Sequence, residues 1–257
     1  SRVGAYGGSY VHYPALNLPK QVFEHPAVLL NSTASVDELR YLLERPEYPV
    51  KVYSPNVGQD PETEVRYVLD ANHSKTTIRQ ETNEYRTQWH QRVRAAVDGS
   101  KRALVVATKD GEERLRKALG DMVGERVDLA HYGAVSGLNR YMTNDTVVLS
   151  QPFNPPVVAV AERYRRIYGG QAGQPLRLET CFRSVKLPAS DGPAKTYEVA
   201  VSSMKDSRLA SLYEHWRWSE MYQGAHRVRP VLHKRRIVVT CAIPLEDLPA
   251  TDVSSSP

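Results

Sequence analysis

Ala103-Leu104-Val105-Val106-Ala107 is an unbroken run of five apolar residues, closed before by Lys101-Arg102 and after by Thr108-Lys109-Asp110-Gly111. A strand with one face in water alternates apolar and polar residues, so a continuous run of this kind has to be covered on both faces. The polar turn leads into a helical pattern over 112–119, which gives the strand, turn and helix of one βα unit. A similar run lies at 27–30, a further buried strand is expected at 146–150, and strands are also expected at 50–54, 65–69, 127–132, 197–201 and 237–243. Helices are expected between them at 36–44, 83–97, 157–168 and 208–226. The predicted fold class is therefore α/β, a mostly parallel sheet covered by helices on both faces. In such sheets the chemistry sits at the carboxyl ends of the strands. The Thr33 turn, Thr108-Lys109, the glycine-punctuated turn 133–140 and Pro152 to Pro155 are expected on that edge.

Within this frame Tyr85, Trp89, Val93 and Val97 recur every four residues and give the helix 83–97 one apolar stripe. Ser35 with Glu38 reads as a capping box for the helix 36–44. Residues 1–21, rich in Gly, Tyr and Pro, read as loop, 71–81 as an exposed loop, and 248–257 as a disordered tail.

A net charge of +5 is compatible with a polyanionic partner, and its distribution says more: from His226 to Arg236 there are basic residues and no carboxylate. Cys181 and Cys241 have no paired-ligand spacing, so reduced thiols and a cytoplasmic location are expected. No signal peptide and no apolar run long enough to span a bilayer is read in the chain. Eight scattered histidines form no ligand pattern, and no metal site is expected. Ser136 stands one place late for a nucleophile elbow between Gly133 and Gly137. Trp216 and Trp218 are expected to pack in the core or at an interface.

The basic run opens with Gln223-Gly-Ala-His-Arg227-Val-Arg229-Pro230, between a helix and a strand. Arginine is rarely buried without a partner, and its rigid fork of donors suits phosphate oxygens. Arg227 and Arg229 read as aimed at a polyanion, with Gln223 one turn earlier on the helix. A solvated basic helix end, favoured by the helix dipole, reads the same residues equally well.

The order of short motifs adds a resemblance. Ser32-Thr33-Ala34 follows a strand, the Ala103–Ala107 strand runs into Thr108-Lys109, His131-Tyr132-Gly133 leads to Gly137-Leu138-Asn139, and Gln223 to Pro230 comes last. This series resembles the superfamily 2 helicases, above all those of phage, plasmid and replication-associated type, over roughly residues 26–245. The match departs from the family at His226, where glycine is common.

The resemblance implies a second RecA-like domain over 49–247, preceded by the end of a first RecA-like domain over 1–48. It implies that Arg227 or Arg229, with Arg229 favoured, acts as an arginine finger on the γ-phosphate of ATP, with Gln223 ordering that site. Thr33, Gly137 and Asn139 would couple nucleotide sensing to the nucleic-acid strand, and Thr108, Lys109 and Arg140 would grip that strand, DNA slightly preferred. No Gly-x-x-x-x-Gly-Lys-Ser/Thr loop and no acidic box occur in the chain. ATP and Mg2+ are therefore expected to be held mainly by an upstream RecA-like domain, before a chain that opens on Ser1 rather than Met, and this segment alone is expected to be inactive. The alternative is a non-catalytic basic α/β module that binds nucleic acid or a protein.

Overall fold

The computed structural model of the chain describes residues 2–6, 9–13, 38, 40–41, 51, 59–69, 73, 83–135, 139–169, 176–187, 192–241, 243, 245, 248 and 250–254. The expected strand at 27–30, most of that at 50–54, the Ser35 cap, Thr33 and Gly137 lie outside the described residues.

The chain divides into two compact units. The first comprises Ser1–Pro55, Pro155–Leu178 and Met204–His215. Its opening, expected as loop, is an antiparallel pair of strands, β1 (Arg2–Tyr6) and β2 (Ser9–Tyr13), with Arg2 opposite Tyr13 and Tyr6 opposite Ser9. The glycine pair that separates the two runs is a hairpin signal that outweighs the missing apolar period. Residues 38, 40 and 41 are helical, in keeping with the helix expected there. The buried Glu38 carboxylate takes both Nε (3.0 Å) and Nη2 (2.7 Å) of Arg163 on the helix Val157–Tyr168.

The second unit, Asn56–Asn154, Glu179–Ser203 and Trp216–Pro257, holds a six-stranded sheet. Its strands are β3 (Glu64–Val68), β4 (Ala103–Ala107), β5 (Val127–His131), β6 (Thr146–Leu149), β9 (Arg236–Val239) and β10 (Asp252–Ser254). The order is β10-β3-β9-β6-β4-β5, and every pairing is parallel. This is the parallel α/β sheet the apolar runs predict. All five residues of β4 are buried. Ala103, Val105 and Ala107 face helices α1 (Asn83–Val97) and α2 (Lys109–Leu119), packing with Trp89, Val93, Val97, Leu115 and Leu119. Tyr85 is 46% exposed, so the stripe of α1 begins one turn later than its spacing suggests.

Leu104 and Val106 face the other way, into a core with Met221 and Ala225 of the helix Ser207–Ala225. A two-stranded ribbon, β7 (Leu178–Leu187) with β8 (Lys195–Met204), contributes Val185, Leu187, Val199 and Val201 to that core. Only the middle of β8 is legible in the sequence; β7 is not. At the far edge β10 forms within the expected disordered tail. Thr251 clasps Val65 with its backbone N–H (2.8 Å, to the Val65 carbonyl) and receives the Val65 N–H on its hydroxyl (2.9 Å), which lays the next three residues along β3. His73, in the stretch expected to be exposed, is 3% exposed.

Candidate polyanion site

Because all the strands run one way, the sheet has a distinct carboxyl edge and amino edge, and the predicted site residues divide between them. On the carboxyl edge Thr108 ends β4 and caps α2, its Oγ1 accepting the Gly111 N–H at 3.2 Å. Gln151, just beyond β6, is buried there, and its Oε1 accepts both the Thr108 N–H (3.1 Å) and the Thr108 hydroxyl (2.9 Å). The Gln151 Nε2 donates to the His73 carbonyl (3.1 Å), and the Tyr132 hydroxyl donates to the Gln151 carbonyl (2.7 Å). The hydroxyl of Thr108 is thus already committed on both sides, while Lys109 beside it is exposed. His131 and Glu112 pair at 2.6 Å at the end of β5.

Asn139 and Arg140, expected on that same edge, lie toward the other one. A chain that leaves β5 at the carboxyl edge must come back before β6 can start parallel to it. Turns from Asn139 to Asp145 complete that return without a helix, and Asn144 reaches Asp128, near the start of β5, at 2.9 Å. Arg102 holds the same carboxylate through Nε and Nη2, both at 2.9 Å, and this pairing keeps the Asp128 carboxyl below its usual range. Arg140 lies over the Tyr141 ring, 4.6 Å from its centroid.

The Gln223–Pro230 stretch descends to this amino edge. Gly224 passes close to the sheet: a β-carbon there would meet Leu149 Cδ2 at 3.3 Å. A 3-10 turn, His226–Val228, follows the long helix, and Val228 is buried in the core. Pro230 is fixed by its carbonyl, which accepts the Asp60 N–H at 2.9 Å. On the helix before this turn Gln223 Nε2 donates to Ser219 Oγ (3.3 Å), and just after the turn Arg229 Nη2 donates to Asn139 Oδ1 (2.9 Å). Arg229 and Asn139, to which the resemblance gives different roles, thus meet directly across ninety positions of sequence.

Arg227 stands differently. It makes no hydrogen bond or ion pair among the described residues, and its Nε is buried without a partner. Burial pushes its guanidinium below the usual arginine range, the Arg229 charge pushes the same way, and Glu220 opposes them.

Two later arginines of the basic run have structural work. Arg235 reaches the carbonyls of Val228 (2.6 Å) and Met142 (3.0 Å). Arg236 Nη2 lies against the carbonyls of Ala96 (2.8 Å) and Asp98 (2.7 Å) and the Ser100 hydroxyl (2.9 Å). Sequence reasoning missed the Gln151 hub and these carbonyl contacts, since a polar residue after a strand and an arginine before one carry no pattern of their own. Among the described residues no three His, Cys, Asp or Glu side chains gather as metal ligands, and no helix is long and apolar enough to cross a membrane.

Comparison with protein-family models, with curated proteins and with solved structures gave no match. What the structure defines is a class, an α/β protein built on a six-stranded parallel sheet flanked by helices.

Proposed function

We propose that this chain is the carboxyl-terminal part of an ATP-dependent nucleic-acid helicase or translocase, its second unit being a RecA-like domain that completes an ATP site held by an upstream RecA-like domain. The observation that carries the reading is Arg227: a half-buried guanidinium with no partner among the described residues, beside Arg229, inside Gln223 to Pro230. A buried donor with nothing to accept it is costly to a fold, and it is suited to a phosphoryl oxygen that arrives with a ligand.

The rest of the domain fits a supporting role toward the nucleotide. Its own switch-point helix, α2, has its first turn capped by Thr108 and packed by Gln151, which supports a phosphate cradle lying elsewhere. ATP with Mg2+, once bound, supplies a phosphoryl group whose transfer is stabilised by added positive charge. Arg227 or Arg229 would bring that charge, and Asn139, held by Arg229, would couple it to the nucleic-acid strand. Strand contacts through Lys109 would fall on the opposite edge of the sheet, so nucleotide and strand would meet different surfaces.

The test is ATP hydrolysis by the polypeptide extended upstream, with and without single-stranded DNA, for the wild type and for Arg227→Ala and Arg229→Ala. Strand-stimulated hydrolysis that collapses in either variant, with ATP binding kept, supports the reading. Unchanged hydrolysis in both variants, or no hydrolysis in the wild type, overturns it in favour of a basic binding module.

A further inference from the structure

Gln223 to Pro230 concentrates local costs that a plain helix end has no use for. Arg229 is the one non-glycine residue with positive φ among the described residues, at φ 58 and ψ 55. Glycine is the usual occupant of such a left-handed helix end. Pro230 behind it narrows its conformations further. Two residues earlier, Arg227 keeps a buried Nε with nothing to donate to. Five other basic groups nearby are engaged. His226 Nδ1 donates to the Tyr222 carbonyl (2.9 Å), Lys234 pairs with Glu62 (3.2 Å), Arg229 holds Asn139, and Arg235 and Arg236 hold backbone carbonyls.

We propose that the two arginines have different jobs. Arg227 meets the phosphoryl oxygens, and Arg229 is a positioning residue that fastens Asn139 to the end of the long helix. This rests on the helicase reading for the source of the phosphate, and it reverses the order in which the resemblance favours Arg229. The Gly133 N–H donates to Glu220 Oε2 of that helix at 3.0 Å, and Asn139 accepts from Arg229 at 2.9 Å. Arg227 lies between Glu220 and Arg229 in the chain and feels both charges. Arg229 spends one Nη2 donor on that tie, whereas no side-chain donor of Arg227 has a partner among the described residues. A phosphoryl group supplies the acceptor that Nε lacks, and the fork can bind two of its oxygens where a lysine offers a single point charge.

The experiment titrates inorganic tripolyphosphate into this chain, following the side-chain Nε–H resonances of arginine by NMR and the affinity by calorimetry. The Arg227 Nε–H signal is expected to shift on saturation, and Arg227→Ala and Arg227→Lys each to weaken binding by about tenfold or more. Arg229→Gly keeps the left-handed turn while removing the guanidinium. It and Asn139→Ala are each expected to weaken binding by only about threefold, and the double variant by no more than either, because both break the same tie. No saturable binding by the wild type, full binding by Arg227→Ala, or a loss in Arg229→Gly as large as in Arg227→Ala overturns the proposal. The helicase reading is judged separately by hydrolysis in the extended polypeptide: Arg227-dependent binding without strand-stimulated hydrolysis leaves the division of labour standing and the helicase reading refuted.

Discussion

Gly111 and Gln151 interlock. A β-carbon built on residue 111 falls 1.8 Å from Gln151 Oε1, well inside any possible contact. The glutamine cannot simply turn away, because its Oε1 accepts from Thr108 twice and its Nε2 holds the His73 carbonyl in a buried site. Gly111→Ala is therefore expected to destabilise the second unit by about 2–4 kcal/mol, although alanine is the better helix former, because overpacking is joined to broken buried hydrogen bonds. Urea unfolding measures this. In the Gln151→Ala background the same substitution is expected to cost much less, and an equal cost in both backgrounds would refute the interlock.

His73 gives the same region a pH dependence. Burial, and after it the Arg92 charge, lower its pKa from 6.5 to about 4. Its Nε2 faces Arg92 Nη1 at 3.2 Å, and since arginine only donates, the ring must accept there and stay neutral. Between these two pKa values the unfolded chain binds the proton and the folded one does not. The contribution of the neutral ring is thus fully present above about pH 6.5 and is lost as the pH falls through about 4. Replacing His73 with Gln is expected to flatten the stability profile between pH 6.5 and 4 by on the order of 2 kcal/mol, read from urea midpoints at each pH. A profile that keeps its slope in the variant would assign the acid lability elsewhere.

These two residues also show where sequence reading stops. Ala103–Ala107 and Thr146–Leu149 announce themselves because burial on both faces demands unbroken apolar runs, and α1 falls on its expected bounds because its stripe repeats every turn. β10 has no such pattern; Asp252–Ser254 is a strand because β3 offers it an open edge and Thr251 starts the pairing. His73 and Gln151 are polar residues in turns, and their burial follows from a meeting of segments 78 positions apart. At the candidate site, Gln223 to Pro230 was legible as a cluster of charge, but the sequence treats Arg227, Arg229, Arg235 and Arg236 alike. Their separation into one unpaired guanidinium and three committed ones is set by long-range contacts with Asn139, Met142 and Ala96.

Arg229→Gly tests that separation on the side of stability. The left-handed backbone costs a β-carbon-bearing residue about 1–2 kcal/mol, which glycine avoids, against the loss of an exposed hydrogen bond to Asn139 and the greater entropy of an unfolded glycine. The expected net change in thermal unfolding free energy is within about 1 kcal/mol of zero. A loss of several kcal/mol would mean that Arg229 is kept for folding and that its strain needs no functional account.

Arg236 is expected to behave in the opposite way. Its Nη2 faces the carbonyls of Ala96 and Asp98 and the hydroxyl of Ser100, where α1 ends and the chain turns toward β4. Carbonyls at a helix end have no partner within the helix, and a cation beside them also meets the negative end of its dipole. Arg236→Ala strips this end of its donor in a half-buried setting, for an expected loss of about 2–4 kcal/mol. Hydrogen exchange locates the damage: protection is expected to fall at the last turn of α1 and at the Ser100 N–H, which donates to the Val97 carbonyl at 3.2 Å, while β10 at the far edge keeps its protection. Arg236→Lys retains a cation with three donors on one atom and is expected to recover about half of the loss. Weakening spread evenly over the sheet in Arg236→Ala, or no recovery with lysine, would show that the residue acts through packing and not through the carbonyls it faces.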